Sequence, residues 1–229
     1  MPSTAGSGPP SRTRVGVFIS GRGSNLRALI EASAAPHYPA EIVLVVSNRG
    51  DAAGLEWARR AGIPAVVIAE SDRGRFAAAA EQALREHAVG LVALAGFMRI
   101  LDTGFVDGWR DRLLNIHPSL LPAFPGLHPQ RQALAAGVRF AGCTVHFVRP
   151  EMDSGPIIAQ AVVPVHDGDD EERLSARILS AEHRLYPLAL RLVAEGRLRI
   201  DGSRVVVAGG EAPAGILLNP REALVGTDS

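Results

Sequence analysis

Short runs of aliphatic and β-branched residues alternate along this chain with segments whose apolar positions recur every three to four residues. RVGVFIS (14–20) predicts a strand, and NLRALIEAS (25–33), beyond a glycine-rich stretch, has helical spacing. The alternation continues with AEIVLVVSN (40–48) as strand and AGLEWARRAG (53–62) as helix. PAVVIA (64–69) follows as strand, RGRFAAAAEQALREH (73–87) as helix and VGLVALAG (89–96) as strand. These strands are continuous apolar runs, the pattern of parallel strands covered on both faces. Strand–helix alternation with right-handed crossovers predicts an α/β fold: a doubly wound, mostly parallel twisted sheet with helices on both faces.

After residue 96 the texture changes. DTGFVDGW predicts a short helix, RLLNIH (112–117) a fifth strand, and a proline-rich loop runs to about Pro129. AGCTVHFV (141–148) and GPIIAQAVVPV (155–165) predict two more strands. Residues 170–196 predict a long helix, in which Pro187 implies a kink or break near Tyr186. LRIDGSRVVV (198–207) reads as a hairpin turning at Asp201–Gly202. The expected organisation is a disordered leader (1–13), one compact unit (14–208) in two halves (14–96 and 97–208), and an irregular tail (209–229).

Composition narrows the chemistry. With 47% apolar residues in 229, a sizeable core can be buried, and with only 5% aromatics it must be mostly aliphatic. Basic and acidic residues balance at 24 each, which argues against broad electrostatic binding to nucleic acid or to a membrane surface. All the basic residues are arginine. A Schiff-base lysine, a lysine general base and a P-loop lysine are therefore excluded. The single cysteine, Cys143, has no intramolecular partner, which points to a reducing compartment. There is neither a secretory h-region nor an apolar run of membrane-spanning length, so the expectation is a soluble cytoplasmic protein.

SGRGSN (20–25) lies between the first strand and its helix. Free N–H groups and the helix dipole there suit an anion such as a phosphate; alternatively the loop is a tight turn capped by Ser24 or Asn25. A dinucleotide fingerprint would need a third glycine where Leu26 stands, and the second strand ends in Ser47-Asn48-Arg49 rather than an acidic residue. Arg49 leaves a weak NADP reading open.

In LLNIHPSLLP (113–122), Asn115 and His117 are two positions apart in a strand, so they share a face, roughly 6–7 Å apart. Pro118 favours an extended His117 at the strand's carboxyl end, where open α/β sheets hold ligands. Asp153, in the turn EMDSGPI (151–157), could approach the imidazole, hold its orientation and favour its charged form. No serine sits in a nucleophile elbow, and no histidine pair has zinc-helix spacing. The trio suits direct attack by a substrate nucleophile on an acyl carbon, with oxyanion stabilisation and proton transfer. The alternative is that the two polar side chains only satisfy loop backbone groups.

SGRGSNL, LAGFMRIL, LLNIHPSLLPAFPGLH and DSGPII, in this order, resemble the folate-dependent formyltransferases of purine synthesis, over roughly residues 14–200. Asn-x-His-Pro-Ser-Leu-Leu-Pro is similar to the whole superfamily. The Gly-Arg-Gly-Ser-Asn loop and Phe-Met-Arg-Ile-Leu resemble its glycinamide branch. The resemblance implies a Rossmann-like formyltransferase fold and a reaction. In it, 10-formyltetrahydrofolate, a co-substrate, gives its formyl group to the glycyl amine of phosphoribosylglycinamide, without a metal. It implies Asn115, His117 and Asp153 as catalytic, with His117 the general acid. Gly23, Ser24 and Asn25 hold the phosphate, and Glu182 the ribose. Met98, Arg99, Ile100 and Leu101 form a folate wall, Arg75 meets the folate tail, and Arg149, Pro150, Glu151 and Met152 lead the loop to Asp153 over the pterin. The first half is then the phosphate-binding half and the second the folate and catalytic half. The implied partners are two small molecules, with neither nucleic acid nor membrane; a homodimer is an allowed assembly.

Bland readings stand beside these. Met98 and Leu101 fit core packing as well as a pocket wall, Arg99 fits a surface ion pair, and Glu182 fits pairing with Arg149 or Arg184. Leu179 stands where some relatives carry a polar residue. His128, His146, His166 and His183 have no assigned role. The rivals are a hydrolase passing the formyl group to water, a methionyl-tRNA formyltransferase, an NADP oxidoreductase and a non-catalytic nucleotide-binding module. The first two usually carry an extra domain, for which the short leader and the hairpin near the end leave no room.

Overall fold

The structure, a computed structural model, describes residues 12–211, 214–215 and 217–219. The expected leader up to residue 11 and most of the expected tail lie outside the described residues. Arg12 and Thr13, assigned to the leader, are instead part of the fold. The strand begins at Thr13, and the Arg12 guanidinium donates to the carbonyls of Ser33, Tyr38 and Ala40.

Strands β1 (Thr13–Ile19), β2 (Ala40–Ser47), β3 (Ala65–Val67), β4 (Leu91–Leu94), β5 (Leu113–His117), β6 (Phe140–Phe147) and β7 (Ile157–Pro164) form one sheet. Its order is β3-β2-β1-β4-β5-β6-β7. The first five strands run parallel; β6 and β7 join antiparallel. The order reverses between β1 and β4, which opens a crevice at their carboxyl ends. A separate hairpin pairs β8 (Leu198–Asp201) with β9 (Arg204–Val207).

Helices α1 (Ser24–Ser33), α2 (Leu55–Arg60), α5 (Pro129–Ala135) and α6 (Glu171–Ala194) bury their apolar sides on one face, against Val15, Val17 and Ile19. Helices α3 (Arg73–Glu86) and α4 (Thr103–Gly108) cover the other, against Phe18, Leu44 and Val92. This is why the central strands read as unbroken apolar runs. Phe18 packs edge-on against Phe76 and Phe97, at 6.2 and 5.5 Å between centroids. Full burial of such a ring contributes about 2–3 kcal/mol. Phe97 thereby anchors the loop that follows β4.

Two local expectations are corrected and one element is added. Helix α6 is continuous through Pro187. Its buried row of Leu185, Tyr186, Ala189 and Leu190 holds both sides of the proline to the sheet, and the Tyr38 hydroxyl donates to the Pro187 carbonyl at 2.7 Å. Where the proline-rich loop ends, at Pro129, a helix for which no expectation was made begins, α5, with that proline in its first turn, where a missing N–H is harmless. In the β8–β9 hairpin Asp201 pairs with Arg204, so the turn residues are Gly202, at φ 60, and Ser203.

Candidate active site

The loop after β1 is set by two glycines in contact. Gly23 has φ 70, and a Cβ on it would lie 2.5 Å from the Gly54 Cα. Gly54 has no room either, since its Cβ would meet Ile19 Cδ1 at 2.8 Å. The Gly54 N–H donates to the Gly21 carbonyl at 2.9 Å, so the start of α2 buttresses the loop. Ser20 braces it from below: its hydroxyl donates to Asn48 Oδ1 at 2.6 Å and accepts from the Met98 N–H at 2.8 Å.

Capping by Ser24 or Asn25 does not occur. The N-cap of α1 is Gly23, with no side-chain cap. The first-turn N–H groups and the positive end of the helix dipole therefore meet no capping oxygen. Asn25 instead turns inward, and its amide nitrogen donates to Glu182 Oε2 at 2.7 Å. Glu182 pairs with neither Arg149 nor Arg184 through this oxygen; it is buried, and burial raises its carboxyl above the usual range while the Asn25 hydrogen bond opposes the rise. Asn25 Oδ1 is buried and has no hydrogen-bond partner among the described residues. Leu179 lies on the same helix and brings no polar group.

Around β5 the catalytic candidates converge. Asn115 is half-buried and His117 is buried, at the strand's carboxyl end. His117 Nε2 donates to the Phe124 carbonyl at 3.0 Å, and its Nδ1 faces Asp153 Oδ2 at 3.5 Å. Both ring nitrogens thus face oxygen atoms, Nε2 at hydrogen-bond distance. Asp153 sits at φ 53, tolerated by Asp more readily than by most residues, and its Oδ2 accepts the Gly126 N–H at 2.8 Å. The turn is tight because Gly155 passes under the Phe147 carbonyl; a Cβ there would be 1.6 Å from that oxygen.

His146, given no role from sequence, belongs to this cluster. The β5–β6 register puts it opposite Asn115, whose Nδ2 is 3.2 Å from His146 Nε2. His146 Nδ1 donates to the Phe147 carbonyl at 3.0 Å, and Nε2 lies 4.0 Å from Asp153 Oδ1. Burial lowers its pKa below the usual histidine value, which keeps the ring neutral. The loop beyond His117 is pinned from β6: Thr144 Oγ1 donates to the Ser119 carbonyl at 2.7 Å and accepts the Leu121 N–H at 3.0 Å.

The remaining candidates lie on loops, except Arg75 in the first turn of α3. Met98 and Ile100 are 75% and 54% exposed, whereas Leu101 is half-buried against the core beneath α3 and α4. Arg99 makes no surface ion pair among the described residues. Its guanidinium donates to the Glu70 and Ser71 carbonyls and stacks 4.8 Å from the Phe76 centroid. Arg75 is exposed at the rim, 3.1 Å from Glu70. Arg149 is held 2.6 Å from Asp111, beneath an exposed Pro150, Glu151 and Met152. Arg49 is paired with Asp51 at 2.7 Å. Among the described residues there is no grouping of three or more His, Cys, Asp or Glu able to hold a metal ion, and no helix is long and apolar enough to cross a membrane.

A doubly wound sheet with an anion-ready loop at its switch point and an amide–imidazole–carboxylate cluster one strand away defines a group-transfer enzyme fold. The chain belongs to the formyl transferase family, whose model matches residues 13–190. It is 52% identical over 210 residues to the trifunctional purine biosynthetic protein adenosine-3 of Drosophila pseudoobscura pseudoobscura, covering 90% of this chain and 15% of that one. The chain thus spans under a fifth of the length of such trifunctional relatives. It is 45% identical over 200 residues to the phosphoribosylglycinamide formyltransferase of Escherichia coli (strain K12), covering 86% of this chain and 94% of that one. Among solved structures, glycinamide ribonucleotide transformylase 1 from Symbiobacterium toebii superposes with a TM-score of 0.85 at 49% identity, covering 90% of this chain and all of that one.

Proposed function

We propose that this chain transfers the formyl group of 10-formyltetrahydrofolate to the glycyl amine of phosphoribosylglycinamide, a step of purine synthesis. The observation that carries the reading is the approach of Asp153 to within 3.5 Å of His117, with Asn115 two residues before it on β5. Membership of the formyl transferase family and the similarity to glycinamide transformylases support it.

In this reading the amine nitrogen attacks the formyl carbon. A C–N bond forms and the formyl oxygen becomes an oxyanion. Asn115 supplies one N–H donor to it, and His117 a second once its Nε2 exchanges the Phe124 carbonyl for the oxyanion, each contributing roughly 3 kcal/mol in a water-excluded site. The bond from the formyl carbon to N10 then breaks, and the proton lost by the amine ends on N10, passing through His117 and Asp153. Gly23, Ser24 and Asn25 take the substrate phosphate at the start of α1, and Glu182 takes a ribose hydroxyl. Met98, Arg99, Ile100 and Leu101 form the folate wall, Arg75 meets the folate tail, and Arg149, Pro150, Glu151 and Met152 close over the pterin. Exposed Met98, Ile100 and Met152 offer the apolar surface that a flat heterocycle would cover.

Residues 14–208, with Arg12 and Thr13 joined to them, act as one unit, the part up to 96 as its phosphate-binding half and 97–208 as its folate and catalytic half. The partners are two small molecules, with no nucleic acid, in the cytoplasm. A homodimer is compatible with this, and sedimentation would decide it.

The test incubates the purified chain with 10-formyltetrahydrofolate, with and without phosphoribosylglycinamide, and follows both products by mass spectrometry. One formylated amine per tetrahydrofolate is expected. Formate released at the same rate without the amine would assign a hydrolase instead.

A further inference from the structure

Helix α6 carries a buried hydroxyl that the reaction scheme above does not use. Tyr186 is 0% exposed, and its hydroxyl lies 3.0 Å from the Leu94 carbonyl and 3.3 Å from the Leu114 carbonyl. These carbonyls belong to neighbouring strands. Leu94 is the last residue of β4, two residues before the turn at Gly96 that begins the 97–101 loop. Leu114 immediately precedes Asn115. One hydroxyl proton is thus shared between the two strand ends that carry the proposed folate wall and the first of the proposed catalytic side chains.

The same side of α6 reaches a third part of the site. Glu182, one turn before Tyr186, accepts from Asn25 in the loop after β1. On the far side of Tyr186, Pro187 is held by the Tyr38 hydroxyl, so the ring sits in a stretch of helix tied down before and after it. The hydroxyl is not needed to fill space: a phenylalanine ring would occupy the same volume. What it adds is a directional tie between two strands at the point where they part.

We propose that Tyr186 is a positioning residue, whose hydroxyl fixes the spacing of the β4 and β5 carboxyl ends and so the distance from the folate wall to Asn115. This rests on the formyl-transfer reading. Displacement of a reacting group by a fraction of an ångström lowers turnover without abolishing binding.

The test is Tyr186→Phe, assayed beside wild type and beside Ile178→Val, a change in the same helix's buried row. The phenylalanine variant is expected to lose roughly tenfold in kcat with either KM changed by less than about twofold. Ile178→Val, at comparable loss of thermal stability, is expected to keep its kcat. Equal kcat in wild type and Tyr186→Phe, or an equal fall in the Ile178→Val control, would overturn the inference and leave the reaction assignment intact. A wild-type chain without turnover would instead sink the assignment, and this inference with it.

A second measurement decides the matter should the phenylalanine variant not fold. The chain has two tyrosines, so 3-fluorotyrosine gives two 19F lines, which Tyr38→Phe assigns. The Tyr186 line is expected to shift when 10-formyltetrahydrofolate saturates the wild-type protein, although the ring touches no solvent. An unmoved line would show that the hydroxyl does not sense the site.

Discussion

Asn115 Nδ2 and His146 Nε2 face each other at 3.2 Å across the β5–β6 ladder. Because His146 Nδ1 donates to the Phe147 carbonyl, Nε2 is left as an acceptor. It therefore holds the Asn115 amide with its nitrogen toward the histidine, and leaves the second amide N–H for a developing oxyanion. His146→Ala is expected to lower kcat about tenfold, the scale of a mispositioned donor. His146→Gln, whose carbonyl can accept from Asn115, should recover most of that. Steady-state kinetics with a thermal melt on each variant checks this, and equal losses in both would assign His146 to packing alone.

His117 and Asp153 are expected to act as a unit. His117→Ala and Asp153→Ala should each lower turnover by at least ~10²-fold. The double variant should be little worse than either single one, because each change disables the same proton path. Asp153→Asn separates charge from scaffold. Its side-chain oxygen can still accept the Gly126 N–H, so folding should survive while kcat falls. Multiplicative losses in the double variant would show that the two side chains act separately.

The strand–helix alternation was legible in sequence because both faces of the sheet are covered, so its central strands had to be apolar throughout. Asn115 and His117 could be paired for a simple reason: a strand's period of two settles which residues share a face. Asp153 was reachable because its turn immediately precedes a strand. His146 was not, since its partner depends on the register between β5 and β6, which no local pattern encodes. Gly54 was missed for the same reason: its constraint is the approach of another loop, not its own φ. Helix α5 was hidden because its proline sits in the first turn, where it starts a helix as readily as it marks a loop. Pro187 misled in the opposite direction, since burial on both sides of it outweighed one missing hydrogen bond.

Gly54 gives a prediction specific to the loop after β1, the proposed phosphate site. In Gly54→Ala the new methyl would lie 2.9 Å from the Gly23 Cα and 3.1 Å from the Gly21 carbonyl, so the loop must move. The KM for phosphoribosylglycinamide should rise about fivefold or more, as the first-turn N–H groups of α1 lose their aim. The KM for the folate should stay within twofold, and stability should fall by about 1–3 kcal/mol, the usual scale of overpacking. A matching rise in both KM values would mean that the loop serves the fold as a whole rather than the phosphate.

Glu182 makes stability depend on pH in a direction that can be read from its burial. Its folded pKa is raised above the ordinary glutamate value of 4.5, chiefly by burial away from water. Between the unfolded and folded values the native state holds the proton and the unfolded state has released it. The protein therefore loses stability as pH rises through that window, by at most about 1.4 kcal/mol per pH unit, and the loss levels off above the folded value. Glu182→Gln keeps an oxygen for Asn25 but cannot ionise, so it should lack this loss. The difference in unfolding free energy, variant minus wild type, should grow from pH 4.5 upward and then plateau, with other titrating groups cancelling in the subtraction. Urea unfolding at successive pH values measures it. A difference that stays flat across the window would mean that the folded pKa is not raised, and that the bond to Asn25 at least offsets the burial.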